Sequence, residues 1–120
     1  MAAVVALVDD VFFQAKLLET AKRVGVDLRA CATPEALAAE INRESAKLVI
    51  VDLNARANPL AAIEQVQAAG VPRNLIGFFS HVQTELAERA RAAGCSNLMP
   101  RSKFTQNLAT ILAEAKSKAE

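Results

Sequence analysis

Five short apolar runs punctuate the chain: Val4–Val8, Asp27–Cys31, Leu48–Val51, Leu75–Phe79 and Asn97–Met99. They recur about every 20 to 25 residues, and an Ala-rich stretch of helical pattern separates each from the next. In the first such stretch Phe13, Leu17, Ala21 and Val24 fall on one helical face. Thr33-Pro34 pairs a capping hydroxyl with a first-turn proline and predicts a helix running to about Glu44. Gly25, Gly70 and Gly94 stand where helices should stop, because a residue without Cβ readily takes the left-handed conformation that closes a helix. Ser80 and Gln83 have capping-box spacing at the start of a fourth helix, and a last Ala-rich helix is expected to run to Lys118.

Strands this short and this apolar have no polar face to turn to water. They predict an α/β fold in which a parallel sheet is covered by helices on both sides, a doubly wound arrangement. No linker, low-complexity tract or second composition interrupts the pattern, so a single domain over 1-120 is expected, with no output domain.

In a doubly wound sheet the C-terminal ends of the strands share one edge, and ligands bind there. The first run, VVALVDDVFF, delivers Asp9 and Asp10 to that edge. The third, KLVIVDLN, delivers Asp52; the fourth, LIGFFSH, delivers Ser80 and His81; the fifth, NLMPRSKF, delivers Arg101 or Lys103. Three carboxylates brought within ~4 Å of one another repel by about 4 kcal/mol per pair at an effective dielectric near 20. A hard divalent cation reverses that sign, and Mg²⁺ takes oxygen ligands while using only a few carboxylates. The acids are therefore expected to hold Mg²⁺.

Composition narrows the classes without adding chemistry. Fourteen Lys and Arg against thirteen Asp and Glu leave a formal charge of +1, which makes no electrostatic case for nucleic acid or an anionic membrane. No run approaches the ~20 apolar residues of a membrane span, and the apolar start lacks a basic leader region. Cys31 and Cys95 have no metal-site spacing; buried, reduced thiols in a cytoplasmic protein are expected.

With LVDD at the first strand end, VDLN at the third, FFS at the fourth and AGCSNLMPRS around the fifth, the chain resembles the receiver domain of two-component response regulators. The likeness covers Val4 to about Leu112. It implies a flavodoxin-like, CheY-like (βα)5 fold of strand order 2-1-3-4-5 with five helices. It further implies Asp52 as phosphoacceptor and Asp9 and Asp10 as the acidic pair on Mg²⁺. Asn54 offers its backbone carbonyl to that metal, Ser80 is the hydroxyl that meets the phosphoryl group, and Arg101 stands at the position of a family lysine. A carboxylate attacking phosphorus in line gives an acyl phosphate, a step that depends on positioning and charge neutralisation. The implied partners are a histidine kinase or phosphotransfer protein as donor and a downstream protein bound through the fourth and fifth helices and the strand between them. Catalysis would be limited to the receiver's own phosphorylation.

The chain departs from the family pattern at several points. Arg56 stands where the loop after the phosphoacceptor has a proline and Leu60 where it has a glycine; Arg101 replaces lysine, Leu98 the switch aromatic, and His81 a small residue. A guanidinium binds phosphate bidentately but is not a point charge. Two further readings follow: a phosphorylation-independent pseudo-receiver acting as a protein-interaction module, and a flavodoxin-like small-ligand or cofactor-binding protein. No GxGxxG or P-loop signature supports the last. Phe12 and Phe13 follow the acids directly; one must face the core, and partial burial is expected of the other, with exposure as a docking contact for a kinase as the alternative. A disulfide between Cys31 and Cys95 is excluded if they lie at opposite edges of the sheet.

Overall fold

The computed structural model describes residues 4–43, 46–56, 58–68, 74–80, 84–95 and 97–119. The described residues form five strands, Val4–Leu7 (β1), Leu28–Cys31 (β2), Leu48–Asp52 (β3), Asn74–Phe79 (β4) and Asn97–Pro100 (β5). The helices between and after them are Val11–Val24 (α1), Pro34–Arg43 (α2), Pro59–Ala68 (α3), Thr84–Ala93 (α4), Arg101–Gln106 (α5) and Leu108–Ala119 (α6). All strand pairs are parallel, and the sheet runs β2-β1-β3-β4-β5. This is the α/β, doubly wound sheet that the pattern predicts, in the strand order that the family resemblance implies.

Strand side chains alternate between two core layers, which is why the central strands β1 and β3 are apolar almost throughout, whereas the edge strands β2 and β5 carry exposed positions. Val5, Leu7, Val49 and Val51 pack with Leu37 and Ile41 of α2, Ile63 and Val66 of α3, and Ala87 and Ala90 of α4. Val4, Ala6, Leu48, Ile50, Ile76 and Phe78 point the other way, against Phe13 and Leu17 of α1, Phe104 of α5, and Leu108 and Leu112 of α6. Leu17, Leu37 and Phe104 are fully buried. Each such side chain contributes ~1.5–3 kcal/mol on leaving water, offset largely by the entropy of ordering the chain.

Local signals set the helix ends. The Thr33 hydroxyl accepts the Ala36 N–H at 3.1 Å, and Gly25 closes α1 at φ 84° with its N–H on the Ala21 carbonyl. Asn58, at φ 39°, accepts the Ala61 N–H at 3.2 Å ahead of Pro59 and so opens α3. Gly70, Gln83 and Glu44 lie outside the described residues.

The C-terminal helix differs from the single rod that the pattern predicts. It breaks at Asn107, whose backbone N–H (3.2 Å) and side-chain amide (2.9 Å) both donate to the Lys103 carbonyl. An amide side chain that competes for a helix acceptor favours a turn, and the chain makes one before α6 resumes with Ile111 N–H on the Asn107 carbonyl. Cys31 and Cys95 are free and buried, at the ends of the sheet expected for them.

Candidate functional site

The C-terminal edge of the sheet gathers the residues singled out above. Asp9 and Asp10 lie between β1 and α1, Asp52 is the last residue of β3, Ser80 follows β4 directly, and Arg101 opens α5 right after β5. Asp52 is 3 % exposed, and of the described charged residues it alone is buried. Its backbone continues the sheet, since the next N–H, that of Leu53, reaches the Phe78 carbonyl at 3.0 Å. One carboxylate oxygen accepts the Asn54 N–H at 2.8 Å. Burial pushes the Asp52 carboxyl above its ordinary range; the Asn54 bond and the Arg101 charge pull it back, and the Asp9 and Asp10 charges push it further up. Four charged groups from three separate parts of the chain thus meet at this edge.

Asp10 has two tasks. One oxygen caps α1 by accepting the Phe12 and Phe13 N–H groups at 3.0 and 3.2 Å. The other oxygen accepts from the Arg101 guanidinium at 3.1 Å. The Arg101 bond, followed by the Phe13 N–H, holds the Asp10 carboxyl below its ordinary range. Arg101 also stacks over the Phe13 ring, 4.3 Å from its centroid. Beneath it Phe13, Phe78 and Phe104 form an aromatic column, with Phe78 and Phe104 stacked at 4.6 Å and Phe13 tilted 5.1 Å from Phe78. Lys103, two residues on, is exposed. Asp9 accepts the Arg56 N–H at 2.8 Å, so the loop after β3 is fastened to the loop after β1. The Asn54 side-chain oxygen accepts the Ser80 N–H at 3.1 Å and joins the third and fourth strand ends.

The residues expected to hold Mg²⁺ are Asp9, Asp10, Asp52 and the Asn54 carbonyl. Each of the three carboxylates already accepts from a protein donor, and Arg101 has the Asp10 oxygen that faces it. Among the described residues no three acidic, histidine or cysteine side chains stand together as a metal-holding group. The donor set as arranged does not fit a shared dication.

Ser80, Asn54 and Arg101 also border an open cleft of about 680 Å³, together with Lys16, Ser102 and Thr105. Two cations and the Ser80 and Ser102 hydroxyls suit an oxyanion, while the Thr105 hydroxyl already donates to the Arg101 carbonyl at 2.8 Å. Leu98, in place of the switch aromatic, is half-buried against the core layer of α2 to α4. It faces Gly77 on the neighbouring strand, where a Cβ would come within 2.9 Å of a Leu98 methyl. His81 lies outside the described residues. Phe13 is buried, whereas Phe12, of which partial burial is expected, is 89 % exposed, and Val11 and Leu18 of α1 are exposed as well.

The Arg56–Asp9 bond, the Asn58 cap and the aromatic column lie outside the expectations drawn from the sequence. Asn58-Pro59 carries the same signal as Thr33-Pro34 and was legible. The other two depend on tertiary placement.

No protein-family model matches the chain, and a search among curated proteins gave no match either. Solved structures do match. The receiver domain of the Francisella response regulator 1452 superposes with a TM-score of 0.79 at 11% identity, over 98% of both chains. The receiver domain of NtrX from Brucella abortus gives 0.78 at 17% identity, over 95% of this chain and 98% of its own. The fold is that of a response regulator receiver domain. A CheY-like receiver protein from Methanospirillum hungatei shares it, at 0.77 and 14% identity over 98% of each chain. The chain spans only 29% of the longer NtrX structure solved with ADP, so the receiver fold corresponds to one part of that protein. Identities of 11% to 20% fit a receiver fold with divergent sequence.

Proposed function

We propose that this receiver fold serves a phosphorelay, with Asp52 accepting a phosphoryl group and the signal passing on through protein contacts. The observation that carries this reading is Asp52 itself: a buried carboxylate at the end of the central strand, sharing its edge with a hydroxyl and a guanidinium. Burying such a group lowers stability, so its place at a ligand-binding edge favours a chemical role over a structural one. In the reaction a carboxylate oxygen bonds to phosphorus as the bond to the donor's leaving group breaks, and the electron pair departs with that group. Ser80 and Arg101 are the proposed contacts for the phosphoryl oxygens.

The proposed donor is a histidine kinase or phosphotransfer protein, and the exposed Val11, Phe12 and Leu18 of α1 offer it an apolar surface beside the acids. A downstream protein is proposed to read the face of α4, β5 and the last helix, which the break at Asn107 divides into α5 and α6. No described helix is long and apolar enough to cross a membrane; a cytoplasmic site of action belongs to this proposal.

Incubation with acetyl phosphate, with and without Mg²⁺, followed by intact mass measurement tests it. One added phosphoryl group, lost in Asp52→Asn, is the expected result; acetate leaves with the electron pair. A second reading, the phosphorylation-independent pseudo-receiver, is favoured by the near-complete burial of Asp52 and the prior engagement of Asp9 and Asp10. Absence of any phosphoryl gain, with partner binding unaffected by Asp52→Asn, selects it.

A further inference from the structure

We propose that the Arg101 guanidinium performs the charge neutralisation expected of Mg²⁺, so that the acidic edge works without a dication and a dication binds only by displacing Arg101 from Asp10. The proposal deepens the receiver reading and rests on it for the phosphoryl chemistry, though its metal-binding claim stands independently.

Three observations carry it. Arg101 donates to Asp10 at 3.1 Å, on the carboxylate oxygen left over from capping α1. The guanidinium is held from a second side by the Phe13 ring at 4.3 Å. A divalent ion placed among the acids of this edge would meet both a positive neighbour and a carboxylate already shared. In addition, Asp9 has turned one oxygen to the Arg56 N–H.

The residue type matters to this task. A guanidinium is planar, permanently charged and weakly hydrated, so it can stack on Phe13 and donate to Asp10 at once. A lysine ammonium is a compact, strongly hydrated charge that does not stack in this way. Phosphoryl oxygens entering the cleft beside Ser80 meet the same guanidinium, whose remaining N–H groups are suited to a tetrahedral oxyanion.

The test is a calorimetric titration of Mg²⁺ and Mn²⁺ into the wild-type chain, Arg101→Ala and Arg101→Gln. Thermal denaturation first establishes that each variant is folded; Arg101→Gln retains most of the side chain's bulk should Arg101→Ala fail. Removing a positive charge next to the acids is expected to tighten divalent-ion binding about tenfold or more. Wild-type binding as tight as that of a folded variant overturns the proposal. Acetyl phosphate labelling in excess EDTA gives the second readout. The proposal expects wild-type labelling to survive EDTA and that of Arg101→Gln to depend on added Mg²⁺; wild-type labelling abolished by EDTA overturns it. If no condition labels Asp52, the phosphoacceptor reading falls, and the titration alone decides the claim about Arg101.

Discussion

The backbone N–H of Arg56 lies 2.8 Å from a carboxylate oxygen of Asp9, across 47 residues of sequence. The bond closes the loop after β3 onto the loop after β1 and gives Asp9 a partner inside the protein. It also gives physical meaning to a departure from the receiver pattern, because a proline at position 56 has no N–H to donate. Arg56→Pro is expected to destabilise the fold by about 1.5–3 kcal/mol, the range for a hydrogen bond to a charged group. Arg56→Ala keeps the N–H and should fall within ~0.5 kcal/mol of the parent. Urea denaturation of the two variants measures the difference.

Asp10 and Asp52 make opposite contributions to pH dependence. Arg101 and the helix N–H groups hold the Asp10 carboxyl below its ordinary value of 3.8. Its stabilisation is therefore complete above that value and is lost as pH falls through the folded-state value. Asp10→Asn keeps an oxygen for the cap but removes the charge. Thermal scans from neutral pH into acid should show a shallower loss in this variant than in the parent.

Asp52 runs the other way, since burial raises its folded-state value above 3.8. Between those values the folded protein holds the proton more firmly than the unfolded chain, so stability declines as pH rises through the window and the penalty is complete above it. Asp52→Asn removes the penalty and can still accept the Asn54 N–H. It is expected to be more stable than the parent at neutral pH, by ~1 kcal/mol on the scale of a buried polar group's desolvation. The gain should vanish in acid, which denaturant titrations at the two extremes will show.

Gly77 makes room for Leu98. A Cβ at position 77 would stand 2.9 Å from a Leu98 methyl and 3.2 Å from the Cys95 sulfur. Gly77→Ala is expected to cost about 1–3 kcal/mol as the leucine is forced aside. Adding Leu98→Ala should restore part of the loss, and a double-mutant cycle of chemical denaturation midpoints reads that coupling.

The sheet was legible because its central strands are buried on both faces, so that VVALV and LVIV announce themselves by composition alone. Strand ends at one edge follow from that topology, which brought Asp9, Asp10, Asp52, Ser80 and Arg101 together in the reading. What the pattern could not supply was the pairing among them. Whether Asp10 meets a metal or Arg101 depends on side-chain directions at a distance of 91 residues, and no local spacing encodes those. The break at Asn107 leaves no mark in the pattern for a different reason. Helical periodicity continues through it, and one amide's preference for the Lys103 carbonyl decides the turn.

The two thiols put a clock at either flank of the sheet. Cys31 ends β2 and Cys95 precedes β5, both enclosed by the same core layer and both pushed by burial toward the unreactive protonated form. An alkylating reagent can reach either sulfur only when its own flank opens. The labelling rate at each cysteine therefore times the breathing of that flank separately, with no foreign probe introduced into the chain.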